Sequence, residues 1–214
     1  MGEMKIINMC VGQVQTNCYI AYHDDTREGV IVDPGDNAVG IVATLNKESI
    51  KPVAILLTHG HYDHMLAALP LKEQYNIPIY AHEKEQAVLM DADANLTNTW
   101  IRNPLTFEAD YYVKDKEKLS LAGFTFEAIH TPGHTIGGVC YYEANEKVIF
   151  VGDTLFKGSF GRVDLLTASP QMIMDSLINC LFVLPDDIKA YCGHGPSTVI
   201  GVEKKSNPIW DYYR

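Results

Sequence analysis

The sequence predicts an α/β protein in which two β-sheets pack together with helices on the outside. Three observations carry this expectation. Short apolar runs, too short for helices, recur along the chain and end at glycine, proline, aspartate or histidine. The chain falls into two successive halves, each opening with strands and passing into helix. A segment of helical spacing lies between the third and fourth runs, which suits a crossover over a sheet face. No linker rich in Gly, Ser or Pro separates the halves, and 214 residues suit one domain, so residues 1–214 are assigned to a single domain.

Taken in order, residues 4–9, 18–22 and 29–33 read as strands with turn signals between them. The third ends at Asp33, Pro34 and Gly35, a turn closing a buried strand. Residues 37–46 carry Ala38, Ile41, Val42 and Leu45 at helical spacing and lead into an apolar strand at 53–57. A helix is expected at 64–69, broken at Pro70 and resumed over 71–75, then a strand at 77–80 and a helix at 83–89. Residues 90–116 are polar and aromatic, with Trp100, Phe107, Tyr111 and Tyr112 and little periodicity; they are expected to cover one side of the site. Strands resume at 124–129, 139–142 and 148–151. A helix follows at about 170–183, with Ser169 as its cap and Pro170 as its first residue, and a last strand at 188–191.

Composition excludes several classes of function. The formal balance of 17 basic and 27 acidic residues gives −10, with no basic run, which speaks against a nucleic-acid surface. Apolar content of 47% and charged content of 21% are ordinary globular values, and no stretch approaches a membrane span. The N-terminus lacks the basic head and apolar segment of a signal peptide, so a cytoplasmic protein is expected, as a monomer or small homo-oligomer. The odd set Cys10, Cys18, Cys140, Cys180 and Cys192 has no paired spacing and reads as free thiols. Asn95 and Thr97 match a glycosylation acceptor that has no meaning without secretion.

The chemistry concentrates in Thr58-His59-Gly60-His61-Tyr62-Asp63-His64, directly after the apolar run 53–57. Neutral imidazole and carboxylate are donors for zinc, iron and manganese. In an extended segment His59, His61 and Asp63 share a face, while Asp63 and His64, being adjacent, suit different ions. Three later motifs repeat the design: His134 follows strand 124–129, Asp153 follows 148–151, and His194 follows 188–191, each beside glycine. Strand ends gathered at one sheet edge would bring all seven groups together. Split between two ions with Asp153 shared, they leave each ion an open position.

These motifs resemble the metallo-β-lactamase superfamily, and within it the glyoxalase II group. The His-x-His-x-Asp-His run, the Thr131-Pro132-Gly133-His134-Thr135 and Gly152-Asp153-Thr154-Leu155-Phe156 stretches, and the closing Gly193-His194-Gly195-Pro196 follow the family's wording and order over nearly the whole chain. The resemblance implies a four-layered αββα sandwich. It implies two divalent transition-metal ions, zinc first with iron or manganese as alternatives. One would be held by His59, His61 and His134, the other by Asp63, His64 and His194, with Asp153 and a hydroxide bridging. It further implies hydrolysis of a small acyl thioester of the hydroxyacylglutathione kind by that hydroxide, with Asp63 and Asp153 as catalytic groups. The only partner expected is this small molecule. The helical segment that follows in two-domain glyoxalase II enzymes is missing, and Met65-Leu66-Ala67-Ala68 stands where the family often has glycine.

Arg162, and with less weight Lys157, are the substrate-binding candidates. In glutathione thioesterases a basic residue at the Arg162 position contacts a substrate carboxylate; the competing reading is an ion pair between Arg162 and Asp164. His130 reads as a structural histidine, and His82 and His23 as structural or surface groups. The alternative activity is an iron-dependent persulfide dioxygenase, which shares most of these motifs but uses one iron on a two-histidine, one-carboxylate face.

Overall fold

The computed structural model describes residues 2–212. An antiparallel meander opens the first sheet: β1 (Met4–Val11), β2 (Thr16–His23) and β3 (Glu28–Val32). Helix α1 (Ala38–Lys47), capped by the side chain of Asn37, crosses to β4 (Lys51–Leu56), parallel to β3. Short helices α2 (Tyr62–Met65) and α3 (Ala68–Tyr75) lead to β5 (Ile79–His82), also parallel. A 3₁₀ turn at Glu83–Glu85, α4 (Gln86–Leu89) and α5 (Thr97–Trp100) connect to the edge strand β6 (Tyr111–Val113).

The second sheet begins with β7 (Lys118–Leu121), β8 (Phe124–His130), β9 (Val139–Glu143) and β10 (Val148–Gly152), all antiparallel. A small hairpin, β11 (Leu155–Phe156) and β12 (Ser159–Phe160), follows. Helix α6 (Pro170–Asp175), capped by the Ser169 hydroxyl, continues as a π-helical segment Ser176–Leu181 before β13 (Lys189–Cys192), which lies parallel to β10. β14 (Thr198–Val199), α7 (Ile200–Ser206) and α8 (Ile209–Tyr212) complete the described chain. The strand orders are β1-β2-β3-β4-β5-β6 and β14-β13-β10-β9-β8-β7.

Side-chain alternation decides which layer each strand residue joins. Val30, Val32, Ala54 and Leu56 point between the sheets, where they meet Phe124, Phe126, Tyr141 and Phe150 of the second sheet. Ile31, Ile55 and Leu57 point the other way, onto Ile41 and Leu45 of α1 and Leu71 of α3. In the second sheet Ile149 and Val151 face Ile173, Leu177 and Leu181. Helix, sheet, sheet and helix are thus four layers with three apolar seams, the αββα arrangement. Phe126 and Phe150 are wholly buried, each contributing about 1.5–3 kcal/mol by transfer alone.

Several local expectations are corrected. Pro70 does not break a helix: the interruption falls at Leu66 and Ala67, and Pro70 occupies the first turn of α3, where no intrahelical N–H bond is lost. Met65 and Ala68, at the position where glycine was expected from the resemblance, pack into the outer helical seam. Residues 90–116 are less of a cover than their composition suggests. Leu105, Phe107 and Ala109 pack into that same seam, and Tyr111–Val113 extends the first sheet. The final turns of the 170–183 helix are π-helical, and β7, β11, β12 and β14 are strands too short or too polar to be read from pattern.

Candidate metal centre

Two antiparallel pairings, β8 with β9 and β9 with β10, make β8 run parallel to β10, and β13 is parallel to β10 as well. The three strands therefore end at one edge, and the loops that follow carry His134, Asp153 and His194. In the first sheet β3, β4 and β5 are likewise parallel and end together, delivering Asp33, the His59–His64 run and Glu85. Packing the sheets face to face joins the two edges. Asn17 of β2 donates to the carbonyls of Cys192 (3.0 Å) and Gly195 (2.8 Å), and Tyr19 donates to Cys192 (2.6 Å), pinning the His194 loop across the seam.

Seven side chains converge there in two groups. His59, His61 and His134 form one, with His61 Nδ1 3.0 Å from His134 Nε2. Asp63, His64 and His194 form the other: Asp63 Oδ2 lies 3.2 Å from His194 Nε2 and 3.4 Å from His64 Nε2, and the two imidazole nitrogens are 3.4 Å apart. Asp153 stands between the groups. Its Oδ1 is 3.5 Å from His64 Nε2, and its Oδ2 is 3.6 Å from His134 Nε2 and 3.5 Å from His194 Nε2.

The donor set fits divalent cations. Donors sharing one tetrahedral ion at 2.0–2.1 Å lie about 3.3–3.4 Å apart, the spacing seen across these contacts. His59 Nε2 and Asp153 Oδ1 are buried and make no hydrogen bond, an arrangement that is costly unless a cation satisfies them. His61 Nε2 is also without a partner; it is the other nitrogen of that ring that faces His134. The outer nitrogens are oriented. His134 Nδ1 donates to the Arg162 carbonyl at 3.0 Å, and His64 Nδ1 meets Asp33 Oδ2 at 3.0 Å, each freeing Nε2 to face inward.

The electrostatics agree. Burial, reinforced by neighbouring histidines, holds the pKa of His59 and of His61 well below the usual range, so both rings are neutral donors. His64 is the opposite case: although burial works against it, Asp63, Asp153 and Asp33 raise it to about 10. Three carboxylates around one imidazole demand positive charge, which a cation supplies. Asp63 is held well below the carboxylate range; burial opposes this, but His64, His194 and the Thr16 hydroxyl at 2.9 Å outweigh it.

Asp33 and Glu85 belong to this machinery and were not picked out from sequence. Asp33 also accepts from the Thr58 backbone N–H (2.7 Å) and hydroxyl (2.6 Å). It could have been found by the rule used for the others, since it too is an acid just past a buried apolar strand. Glu85 lies in a charged-looking triplet that gives no such signal. Gly193 is required by packing: a Cβ there would overlap Asp153 Oδ1 and crowd His64.

A cleft of about 180 Å³ opens onto the centre, lined among others by Val14, Leu96, Trp100, Leu165 and Arg162. Trp100 is exposed and stacks on Tyr62 with centroids 6.3 Å apart, so residues 96–100 do wall one side. Arg162 reaches the cleft but is engaged: Nε and Nη2 donate to Asp164 at 2.7 and 2.8 Å, an exposed bidentate pair. Lys157 sits exposed at the turn between β11 and β12 and is not among the cleft-lining residues. His130 is only half-buried; its ring stacks on His82 at 4.0 Å and its Nε2 donates to the Ile136 carbonyl. All five cysteines are free thiols, with Cys10 exposed.

The chain belongs to the metallo-β-lactamase superfamily, whose family model matches residues 11–194. It is 35% identical to the hydroxyacylglutathione hydrolase GloC of Haemophilus influenzae, over 96% of this chain and 98% of that one. The BLEG-1 B3 metallo-β-lactamase superposes with a TM-score of 0.90 at 38% identity, covering 96% of this chain and 99% of the other. TTHA1623, solved in a di-iron-bound form, superposes with a TM-score of 0.85 at 33% identity, covering 95% and 99%.

Proposed function

We propose that this metallohydrolase superfamily member cleaves a small acyl thioester, of the hydroxyacylglutathione kind, at a centre of two divalent ions, zinc in the first instance. The observation that carries the reading is Asp153, whose two oxygens lie within 3.5–3.6 Å of nitrogens from both histidine groups. One group alone would not need a shared carboxylate. The name and extent of the GloC similarity support thioester hydrolysis, and the di-iron form of TTHA1623 supports a site able to take more than one metal.

His59, His61 and His134 would hold one ion and Asp63, His64 and His194 the other, with Asp153 common to both. Such ions lower the pKa of a bound water to about 7 and polarise a carbonyl. The chain's own residues supply the rest. Asp63 remains a carboxylate across the neutral range and serves as a fixed acceptor that orients a water proton. Val14, Leu96, Trp100 and Leu165 exclude water from one side of the reacting carbonyl. Arg162 offers a substrate carboxylate its remaining N–H groups, or all of them once Asp164 is displaced. Water and thioester then give acid and thiol.

The test is metal analysis of the purified protein combined with a thioester screen read by thiol release. Two ions per chain and turnover of hydroxyacylglutathione thioesters are expected. If thioesters are inert while glutathione persulfide drives oxygen consumption in the iron-loaded protein, the dioxygenase reading replaces this one.

A further inference from the structure

Glu85 is a wholly buried carboxylate with no cationic partner among the described residues. Burying such a group is costly unless donors surround it, and three do. The Gly60 N–H donates to Oε1 at 2.7 Å, the Thr135 hydroxyl donates to Oε2 at 2.9 Å, and the Gly137 N–H is bonded to the same carboxylate. The partners are not scattered. Gly60 lies between His59 and His61, and Thr135 directly follows His134. All three partners therefore belong to the two loops that carry the histidine-only group.

Room for this contact is built in. A Cβ on Gly137 would overlap the Glu85 backbone, and one on Gly60 would press on Leu89 and crowd Oε1. Both loops close on Glu85 only because those residues are glycine. The second group is braced by a different acid: Asp33 holds His64 directly and meets the first group only through Thr58, whose hydroxyl lies 3.2 Å from His59 Nδ1. His61 and His134 thus sit on loops tied to Glu85 and His64 is tied to Asp33, the two acids coming from different parallel strand ends of the first sheet, with Thr58 and His59 between them.

We propose that Glu85 is a positioning residue that sets the spacing of His59, His61 and His134, and with it the affinity of that half of the centre rather than of the half whose His64 is held by Asp33. It touches neither a ligand nitrogen nor the cleft and acts through Gly60, Thr135 and Gly137. The proposal rests on the two-ion reading above.

The test uses the full chain reconstituted with cobalt(II), whose visible absorption reports each site's coordination, and a chelator titration that removes the ions. His61→Ala identifies the signal of the histidine-only group. In Glu85→Ala that signal should be lost at about ten- to a hundredfold lower chelator concentration, the range for removing a group that orients a metal ligand. The other signal should be unchanged. Glu85→Gln keeps an acceptor oxygen for Gly60 but loses one of the two oxygens that serve Thr135 and Gly137, so it should recover only part of the loss and stay weaker than wild type. If both signals weaken together, or neither does, Glu85 is an ordinary structural acid and the proposal is wrong. Should Glu85→Ala fail to fold, Glu85→Gln decides, and an affinity equal to wild type with a shift only in the unfolding midpoint overturns it. A wild type that takes up a single ion refutes the two-ion reading instead; Glu85 is then judged on whether that ion is released more easily from Glu85→Gln.

Discussion

Replacing Asp33 by alanine removes a single buried carboxylate, 1% exposed, that accepts from the Thr58 N–H, the Thr58 hydroxyl and His64 Nδ1. Three donors are left inside the protein without an acceptor. An unsatisfied buried donor costs about 1–3 kcal/mol, and breaking a buried charged pair costs about 3–5 kcal/mol in total, since such losses do not add in full. Asp33 also has φ 49°, a left-handed conformation that costs alanine about 1 kcal/mol more. The sum is about 4–6 kcal/mol. With a urea m-value of about 2–3 kcal/mol/M, the unfolding midpoint of the chelator-treated protein should fall by about 1.3–3 M. Asparagine keeps the left-handed preference and one acceptor oxygen, so Asp33→Asn should lose roughly half as much. A drop below about 1 kcal/mol in Asp33→Ala would mean that water replaces the carboxylate and that the His64 orientation is set elsewhere.

Three further outcomes follow from the geometry. Asp153→Ala should abolish turnover, because its two oxygens lie within 3.5–3.6 Å of nitrogens from both groups, whereas His130→Ala should leave turnover intact, its ring lying on His82; equal losses with unchanged circular dichroism would refute the assignment. Arg162→Ala should lower kcat/KM for a carboxylate-bearing thioester by about five- to tenfold and spare neutral thioesters. A charge-assisted bond is worth about 1.5–3 kcal/mol, or tenfold and upward, but the exposed Asp164 pair must first be displaced, which brings the effect below that lower end; equal effects on both substrates would make Arg162 a structural partner of Asp164. Burial, then His130 and Lys84, lower the His82 pKa from 6.5 to about 4. The unfolded chain therefore takes up this proton before the folded one, so the contribution of neutral His82 is full above pH 6.5 and is lost as pH falls toward 4. At about 1.4 kcal/mol per unit the loss is at most about 3.5 kcal/mol. His82→Phe, which keeps the ring stack but removes the titrating group, should flatten the stability profile of the metal-free protein in this window, and an unchanged slope would rule His82 out as its source.

Periodicity alone assigned much of the architecture. The alternation of Val30, Ile31 and Val32 states that both faces of β3 are covered, which only a sheet lying between other layers allows. The repeated placement of histidine or aspartate beside glycine after an apolar run marked Thr58–His64, His134, Asp153 and His194 as neighbours at a sheet edge, because parallel strands end together. These signals are local: they need only a few residues and the two-residue period of a strand.

What the tertiary structure decided depends on partners far apart in sequence. Glu83, Lys84 and Glu85 open the stretch read as a helix at 83–89, and three charged residues in a row carry no sign of burial. Glu85 is instead buried, because Gly60 and Thr135, 25 and 50 positions away, bring their donors to it. The sequence offered Arg162 both a substrate carboxylate and Asp164; the folded loop adds the Asp164 pair at 2.7 and 2.8 Å, which a substrate has to share or displace. Residues 90–116 looked like a cover because their aromatics lack a period, yet Phe107 and Ala109 fill gaps between helices, where contacts follow no strand or helix repeat. A sequence displays the repeat of a regular element; whether a charge is buried, and against which donor, is fixed only when strands distant along the chain end side by side.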